Sequence, residues 1–267
     1  VSLVRVTVPA DGVRLVTLHR PDRRNTMTIG LVTELHQAIS EVDADRTCRV
    51  VVLTGAGPAF CAGLELHGYG DDERAERLGP IRAALTRQEE IATLAQRLVR
   101  LRQPVIAAVN GAAAGGGLAL VLASDIRIAV DSAVFSVAFI RAGFSGCDIG
   151  TSWLLPRIVG AGRAQELMLT GRRFDADEAL RMGLLSDVVG ADVLLDTALA
   201  KAAEIMRNPP LSVELTKAGV WLALQTPSFD ATVEFENRQQ VLTSLTEDRA
   251  EAAAAFLAKR PPTYRDR

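Results

Sequence analysis

The chain has 267 residues, is 48% hydrophobic and 23% charged, and carries a formal net charge of −2. That is apolar material for one large core, and the near-balance of charge gives no global reason to expect nucleic acid or an anionic membrane surface as a partner. Cys48, Cys61 and Cys147 are an odd number without metal-ligand spacing, which argues against a disulfide framework or a metal site and fits a reducing, cytoplasmic setting.

Val4 to Val8 and Val13 to Leu18 alternate around Asp11-Gly12, the pattern of a β-hairpin. The opening residues have no charged and apolar signal-peptide pattern, and the apolar tract at Leu118 to Ala123 is bracketed too closely by Asn110 and Asp125 to span a membrane. His19 to Asn25 is a polar loop with three arginines, read either as solvated charge or as a phosphate contact. Val32, Leu35 and Ile39 then fall at helical spacing.

Arg49 to Thr54 reads as a buried strand ending in the turn Gly55-Ala56-Gly57-Pro58. Ala59 to Leu66 follows, with small residues and a glycine where backbone N–H groups are free to face a ligand. Gly68 to Arg82 is polar and reads as a mobile or solvent-facing segment. Ile91, Leu94, Ala95, Leu98 and Leu101 mark an amphipathic helix that Pro104 stops.

Val105, Ile106 and Val109 read as a buried strand, and Gly115-Gly116-Gly117 leads from it into an apolar helix. Alone, such a triplet is first a tight turn. The opening N–H groups of a helix are nevertheless unpaired and favour negative charge, and glycine leaves them accessible. Ile126 to Val130 and Val134 to Phe139 are further strands, which makes the fold class α/β. From Arg163 the chain reads as mostly helical, with a capping box at Asp175 and Glu178, a C-terminal cap at Gly183, and helices near 193–206, 213–224, 231–243 and 248–259. Asn208-Pro209-Pro210 divides a core, 1–207, from a C-terminal helical region, 208–267.

Two glycine turns, each after a buried strand, can aim two backbone N–H groups at one point, the requirement of an oxyanion hole. With HRPDRRNTMT, VVLTGAGPAFCAGLEL, PVIAAVNGAAAGGGLALVLASDIRIA, ELMLTGRRFDADEALRMGLLSDVV and AFLAKRPPTYRDR in this order, the chain resembles the crotonase family, the enoyl-CoA hydratase and isomerase superfamily. The resemblance implies a ββα spiral core and a C-terminal helical part that forms homotrimers, often paired into hexamers. It implies an acyl-CoA thioester as substrate, coenzyme A entering as part of it with no separate cofactor. The thioester oxygen would lie between the N–H groups of Leu64 and Gly116, which stabilise an enolate. Arg24, Ala62, Gly63 and Gly115 would line the CoA and acyl site, with Phe256 and Lys259 reaching in from a neighbouring subunit.

The same resemblance exposes a departure. Where the typical hydratase has two glutamates that handle water, this chain has Ala119 and Phe139, so hydration by that route lacks its proton carriers. Asp148 stands where dienoyl-CoA isomerases of the family carry a base and aryl-CoA dehalogenases a nucleophile. The dehalogenase histidine is absent, its helix offering Glu89, Glu90 and Ala92. Enclosed by Phe139, Phe144 and Trp153, Asp148 would serve as a base near neutrality. The alternative is that it caps the segment starting at Ile149-Gly150. Ala119 and Phe139, with Phe144, suit an apolar acyl chain. Glu65 reads as structural, His67 as a surface residue, and Glu234 and Glu236 as a solvated face or subunit contact. The expectation is an enzyme of enoyl-CoA hydratase/isomerase type, with isomerisation or atypical hydration favoured. The alternatives are a crotonase-fold protein that binds CoA without catalysis and, on weaker grounds, an RNA-binding member.

Overall fold

Short strands that pass alternately between two sheets wind this chain. The computed structural model describes residues 2–267. Strands β1 (Val4–Thr7) and β2 (Val13–Leu18) form the antiparallel hairpin expected, Val4 opposite Leu18. Parallel to β2 lie β3 (Val50–Gly55), β5 (Val105–Val109), β7 (Ile126–Val130) and β10 (Asp187–Val189), in the order β1-β2-β3-β5-β7-β10. The second sheet has the order β4-β6-β8-β9, from β4 (Ala59–Cys61), β6 (Ala112–Ala114), β8 (Val134–Ser136) and β9 (Arg173–Asp175).

After α1 (Ile29–Ala44), each turn of the spiral is a strand in the first sheet, a short strand in the second, then helix. Thus β3 and β4 lead to α2 (Asp72–Leu78) and α3 (Pro80–Arg100), and β5 and β6 lead to α4 (Gly116–Leu122). In the third turn β7 and β8 lead to α5 (Thr151–Val159) and α6 (Ala161–Thr170). After β9 the chain continues through α7 (Ala176–Arg181), β10, α8 (Leu194–Met206), α9 (Pro210–Ala223), α10 (Phe229–Ser244) and α11 (Glu247–Leu257). This is the ββα spiral that the sequence motifs imply.

Every residue of β5 and all but one of β3 are buried, as befits parallel strands covered on both faces. Helix ends follow their sequence signals. Thr28 caps α1, and the Asp175 carboxylate accepts from the Glu178 N–H at 2.8 Å to start α7. At the other end of α7, Gly183 at φ 78° permits Gly183 N–H to reach Leu180 O and Leu184 N–H to reach Ala179 O, the paired bonds of a left-handed helix stop.

Two expectations change. The three-residue strands β4, β6, β9 and β10 occupy stretches read as turns or helix, because three residues are too few to show a period. The segment from Gly68 to Arg82 faces solvent as expected, but as helix α2 and the start of α3. It is held down by buried Asp71, whose two oxygens accept from Arg87 Nε and Nη2 at 2.9 and 2.6 Å, and by Arg74 paired to Glu90 at 2.8 Å.

Helix α9 is tied to the core through Lys217, whose Nζ lies 2.8 Å from Asp125 and donates to the carbonyls of Leu98 and Gln103. Burial pulls this ammonium below the ordinary lysine range, and Asp125 opposes that pull. Asp125 also accepts from Trp221 Nε1 at 3.0 Å, and Trp221 stacks on Trp153. No described helix is long and apolar enough to cross a membrane.

Candidate active site

Strand β4 ends at Cys61, and the chain turns through Ala62 and Gly63, the latter at φ 99°. Beyond it, the Met27 N–H donates to Gly63 O at 2.8 Å, and Met27 O accepts from the Glu65 N–H at 3.0 Å. Successive N–H groups of extended chain point in opposite directions. The Leu64 N–H therefore faces away from Met27, and it has no partner among the described residues. In the second turn the Gly115 N–H donates to Ser136 O at 3.0 Å, with Gly115 at φ 52°. Gly116 opens α4, and its N–H is likewise without a partner.

The two turns touch, and the glycines are why they can. A Cβ on Gly63 would sit 2.9 Å from Ala114 O and 3.8 Å from the Gly116 nitrogen, and one on Gly115 would be 3.9 Å from the Gly63 Cα. A Cβ on Gly117 would lie 2.0 Å from Cys61 O. Below the first turn the Cys61 thiol is fully buried and pushed up to about 12 by desolvation, so it is an inert packing group.

The first turn is latched from outside by Asn25, fully buried at φ 55°. Its Nδ2 donates to the carbonyls of Ala56, Ala59 and Phe60, and its Oδ1 accepts from the Arg20 N–H. Beside it Glu65 accepts from Arg20 Nη1 at 3.0 Å and from Thr26 Oγ1 at 3.1 Å. The His67 N–H, then Thr26 and Arg20, hold the Glu65 carboxyl below the usual range. Glu65 thus joins two loops as an ionised acceptor, and His67 is exposed, both as the sequence reading had them.

The turns open onto a cavity of about 640 Å³. Of the residues singled out from the sequence, Arg24, Ala62, Gly63, Leu64, Gly115, Gly116, Phe139, Phe144 and Asp148 line it together. Ala119 does not. It lies fully buried inside α4, its N–H bonded to Gly115 O. Phe256 and Lys259 are exposed at the C-terminal end and do not line this chain's cavity.

Among the described residues Asp148 is the only carboxylate in the cavity wall, which also carries Arg24, Arg141 and Arg173. Its surroundings differ from those expected. Trp153 is turned away to stack on Trp221 beneath Arg157, and Phe144 is 58% exposed, so Asp148 is half-buried rather than enclosed in aromatic rings. Nor does its side chain cap α5, whose N-cap is Gly150 at φ 77°. Instead Oδ1 accepts from the Ile149 N–H at 2.8 Å and from Gln88 Nε2, while Oδ2 has no partner among the described residues.

Ile149 is buried with φ 48°, a conformation that costs a β-branched residue strain. Its Cδ1 lies 3.4 Å from where a Cβ on Gly116 would be, so it links the acid to the glycine turn. The sequence reading missed Gln88, Ile149 and Met27. Gln88 stands three residues before Ile91 on the same helix face, and both line the cavity. A second cavity of about 610 Å³ lies between α9 and the core, but its Lys217 and Asp125 are engaged with each other.

The profile of the enoyl-CoA hydratase/isomerase family matches residues 9–267. A Mycobacterium bovis protein named "Probable enoyl-CoA hydratase echA12" is 42% identical over 267 residues, covering 100% of this chain and 94% of that protein. The 1,2-epoxyphenylacetyl-CoA isomerase of Escherichia coli K12 is 37% identical over 254 residues, covering 95% of each. Among solved structures, a probable enoyl-CoA hydratase/isomerase from Mycobacterium abscessus superposes with a TM-score of 0.92 at 39% identity over the full length of both chains. A monofunctional enoyl CoA isomerase from M. smegmatis gives 0.74 at 39% identity, covering 87% of this chain and 99% of that one. With the two-sheet spiral, the paired glycine turns and these whole-chain similarities together, the chain belongs to the enoyl-CoA hydratase/isomerase family and has the crotonase fold.

Proposed function

We propose that this protein acts on an acyl-CoA thioester through its enolate and moves a double bond, rather than adding water by a two-carboxylate route. The observation that carries this reading is the pair of unpartnered N–H groups, Leu64 and Gly116, on touching turns of a cavity that has one carboxylate. As the proton on C2 leaves, charge grows on the thioester oxygen, and donors already aimed there need no reorganisation to receive it. The free Oδ2 of half-buried Asp148 accepts that proton, exchanges it with solvent and delivers a solvent-derived proton to C4. Isomerisation needs only this one carrier, whereas hydration also needs a group to orient and deprotonate water. Ala119 and Phe139 supply no such group. The similarity to a monofunctional enoyl CoA isomerase from M. smegmatis supports the choice.

Arg24, Arg141 and Arg173 give the wall an excess of positive charge suited to the phosphates of coenzyme A. Coenzyme A enters as part of the substrate and no separate cofactor takes part. Phe139 and Phe144, with Ile149, suit an apolar acyl group. The working form is a homotrimer or a dimer of trimers, residues 1–207 carrying the site and 208–267 the assembly contacts, with Phe256 and Lys259 completing a neighbour's site. Exposed Phe229, Leu245, Phe256 and Leu257, each at least 80% accessible, support a covered face there. Free cysteines suit a cytoplasmic location.

The test is mass spectrometry of 2-enoyl- and 3-enoyl-CoA incubated with the protein in deuterated water. The expected product has a shifted double bond, carries deuterium and lacks an added water. Gain of a water contradicts the isomerase reading. Unchanged substrates throughout favour the alternative of a CoA-binding protein without catalysis.

A further inference from the structure

We propose that Gln88 is the positioning residue of the proton carrier: it fixes Oδ1 of Asp148 and so leaves Oδ2 as the one oxygen that exchanges protons with substrate. This rests on the reading of Asp148 as the carrier. Gln88 Nε2 and the Ile149 N–H both donate to Oδ1, and no described group donates to Oδ2. The two donors come from different parts of the fold. Ile149 belongs to Asp148's own turn, while Gln88 stands on α3, 60 residues earlier. Without Gln88 the carboxyl group is held by its own turn alone and can rotate about Cβ–Cγ, a broad and soft torsion.

The platform for Gln88 is firm. Next to it Arg87 grips buried Asp71, and Glu90 pairs with Arg74 through its side chain and accepts from His36 Nε2 through its carbonyl. One turn on, Ile91, Leu94, Ala95 and Leu98 are buried in the core. The α2 segment thus fixes the rotation of α3 and, through it, the place of the Gln88 amide. An amide is also the right group for this position. It donates to an ionised carboxylate without taking up or losing a proton itself, whereas a carboxylate there would repel Asp148.

The charged groups around the pair are few. On α3 Glu89 is exposed, and Arg87 and Glu90 are engaged as described. Arg24, Arg141 and Arg173 line the same cavity.

The experiment follows deuterium incorporation into 3-enoyl-CoA by wild type, Gln88→Leu, Gln88→Glu and Asp148→Asn, measuring kcat, KM and the pH profile. Gln88→Leu is expected to lower kcat on the order of 10- to 100-fold with KM little changed, the size of a misplaced reacting group. In Gln88→Glu two carboxylates share the site and resist joint ionisation, so the acidic limb of the profile moves to higher pH. A residue that only supports the fold would move neither quantity in that pattern. If Asp148→Asn abolishes exchange while both Gln88 variants keep the wild-type kcat and profile, the inference is wrong and the reading of Asp148 stands. Exchange that survives in Asp148→Asn, or is absent in wild type, overturns that reading and the inference with it.

Discussion

Asp148→Asn is expected to lower the rate of proton exchange into the acyl chain by about 10²- to 10⁴-fold, the usual contribution of a positioned acid or base, and to leave the folded state intact. The separation of the two effects comes from the hydrogen bonds. Asn keeps an Oδ1 that accepts from Gln88 Nε2 and the Ile149 N–H, so the turn before α5 retains both ties. Only the second oxygen is lost, replaced by an amide nitrogen that takes up no proton near neutrality. Deuterium incorporation followed by mass spectrometry reads the first effect and thermal unfolding the second. Equal exchange rates in the two proteins would remove Asp148 from the mechanism.

Gly117→Ala is expected to be the most damaging single-methyl change in the site. The new Cβ would fall 2.0 Å from the Cys61 carbonyl oxygen and 2.8 Å from its carbon, and these are backbone atoms that cannot swing aside. Overpacking costs roughly 1–3 kcal/mol, and a clash with backbone atoms puts this one at the upper end of that range. Relief requires moving the chain at Cys61, three residues before Leu64, so any protein that does fold has a displaced Leu64 N–H and a large loss of turnover. Two comparisons isolate the cause. At Gly116 the nearest neighbour of a Cβ is the Met27 sulfur at 2.9 Å, on a flexible side chain that can yield, so stability falls less. Gly162, in α6, has nothing within 4 Å of a Cβ, and alanine there stabilises by roughly 0.4–1 kcal/mol by restricting the unfolded chain. Urea denaturation of the three variants checks the order. Equal midpoints for Gly117→Ala and Gly162→Ala would contradict the close approach of the turns.

What could be read from the sequence tracks the length over which a physical signal is spread. The buried runs of β3 and β5, the spacing of Val32, Leu35 and Ile39 in α1, and the cap at Asp175 are local patterns, and the structure has each of them. Of the second sheet only β8 shows in the sequence, within Val134 to Phe139; β4, β6 and β9 do not, because they are three residues long and paired with partners more than 20 residues away. Of the nine cavity residues, Arg24, Ala62, Gly63, Leu64, Gly115 and Gly116 lie in the family motifs, and Phe139, Phe144 and Asp148 follow from positions that other members of the family use. Ala119 was carried with them, yet a methyl group inside α4 does not reach the cavity wall. Trp153 was placed beside Asp148 by sequence proximity, but its ring is held by Trp221, 68 residues away. Gln88 lies 60 residues from Asp148, and only the packing of α3 brings them together.

The central claim is that the Leu64 and Gly116 N–H groups hold the thioester oxygen. The most direct measurement is the isotope-edited Raman spectrum of the thioester carbonyl in an unreactive saturated acyl-CoA bound to the protein. Two aimed donors polarise that bond, so its stretching frequency falls below the value in water. A carbonyl frequency equal to that of the free thioester in a fully bound sample would contradict the account.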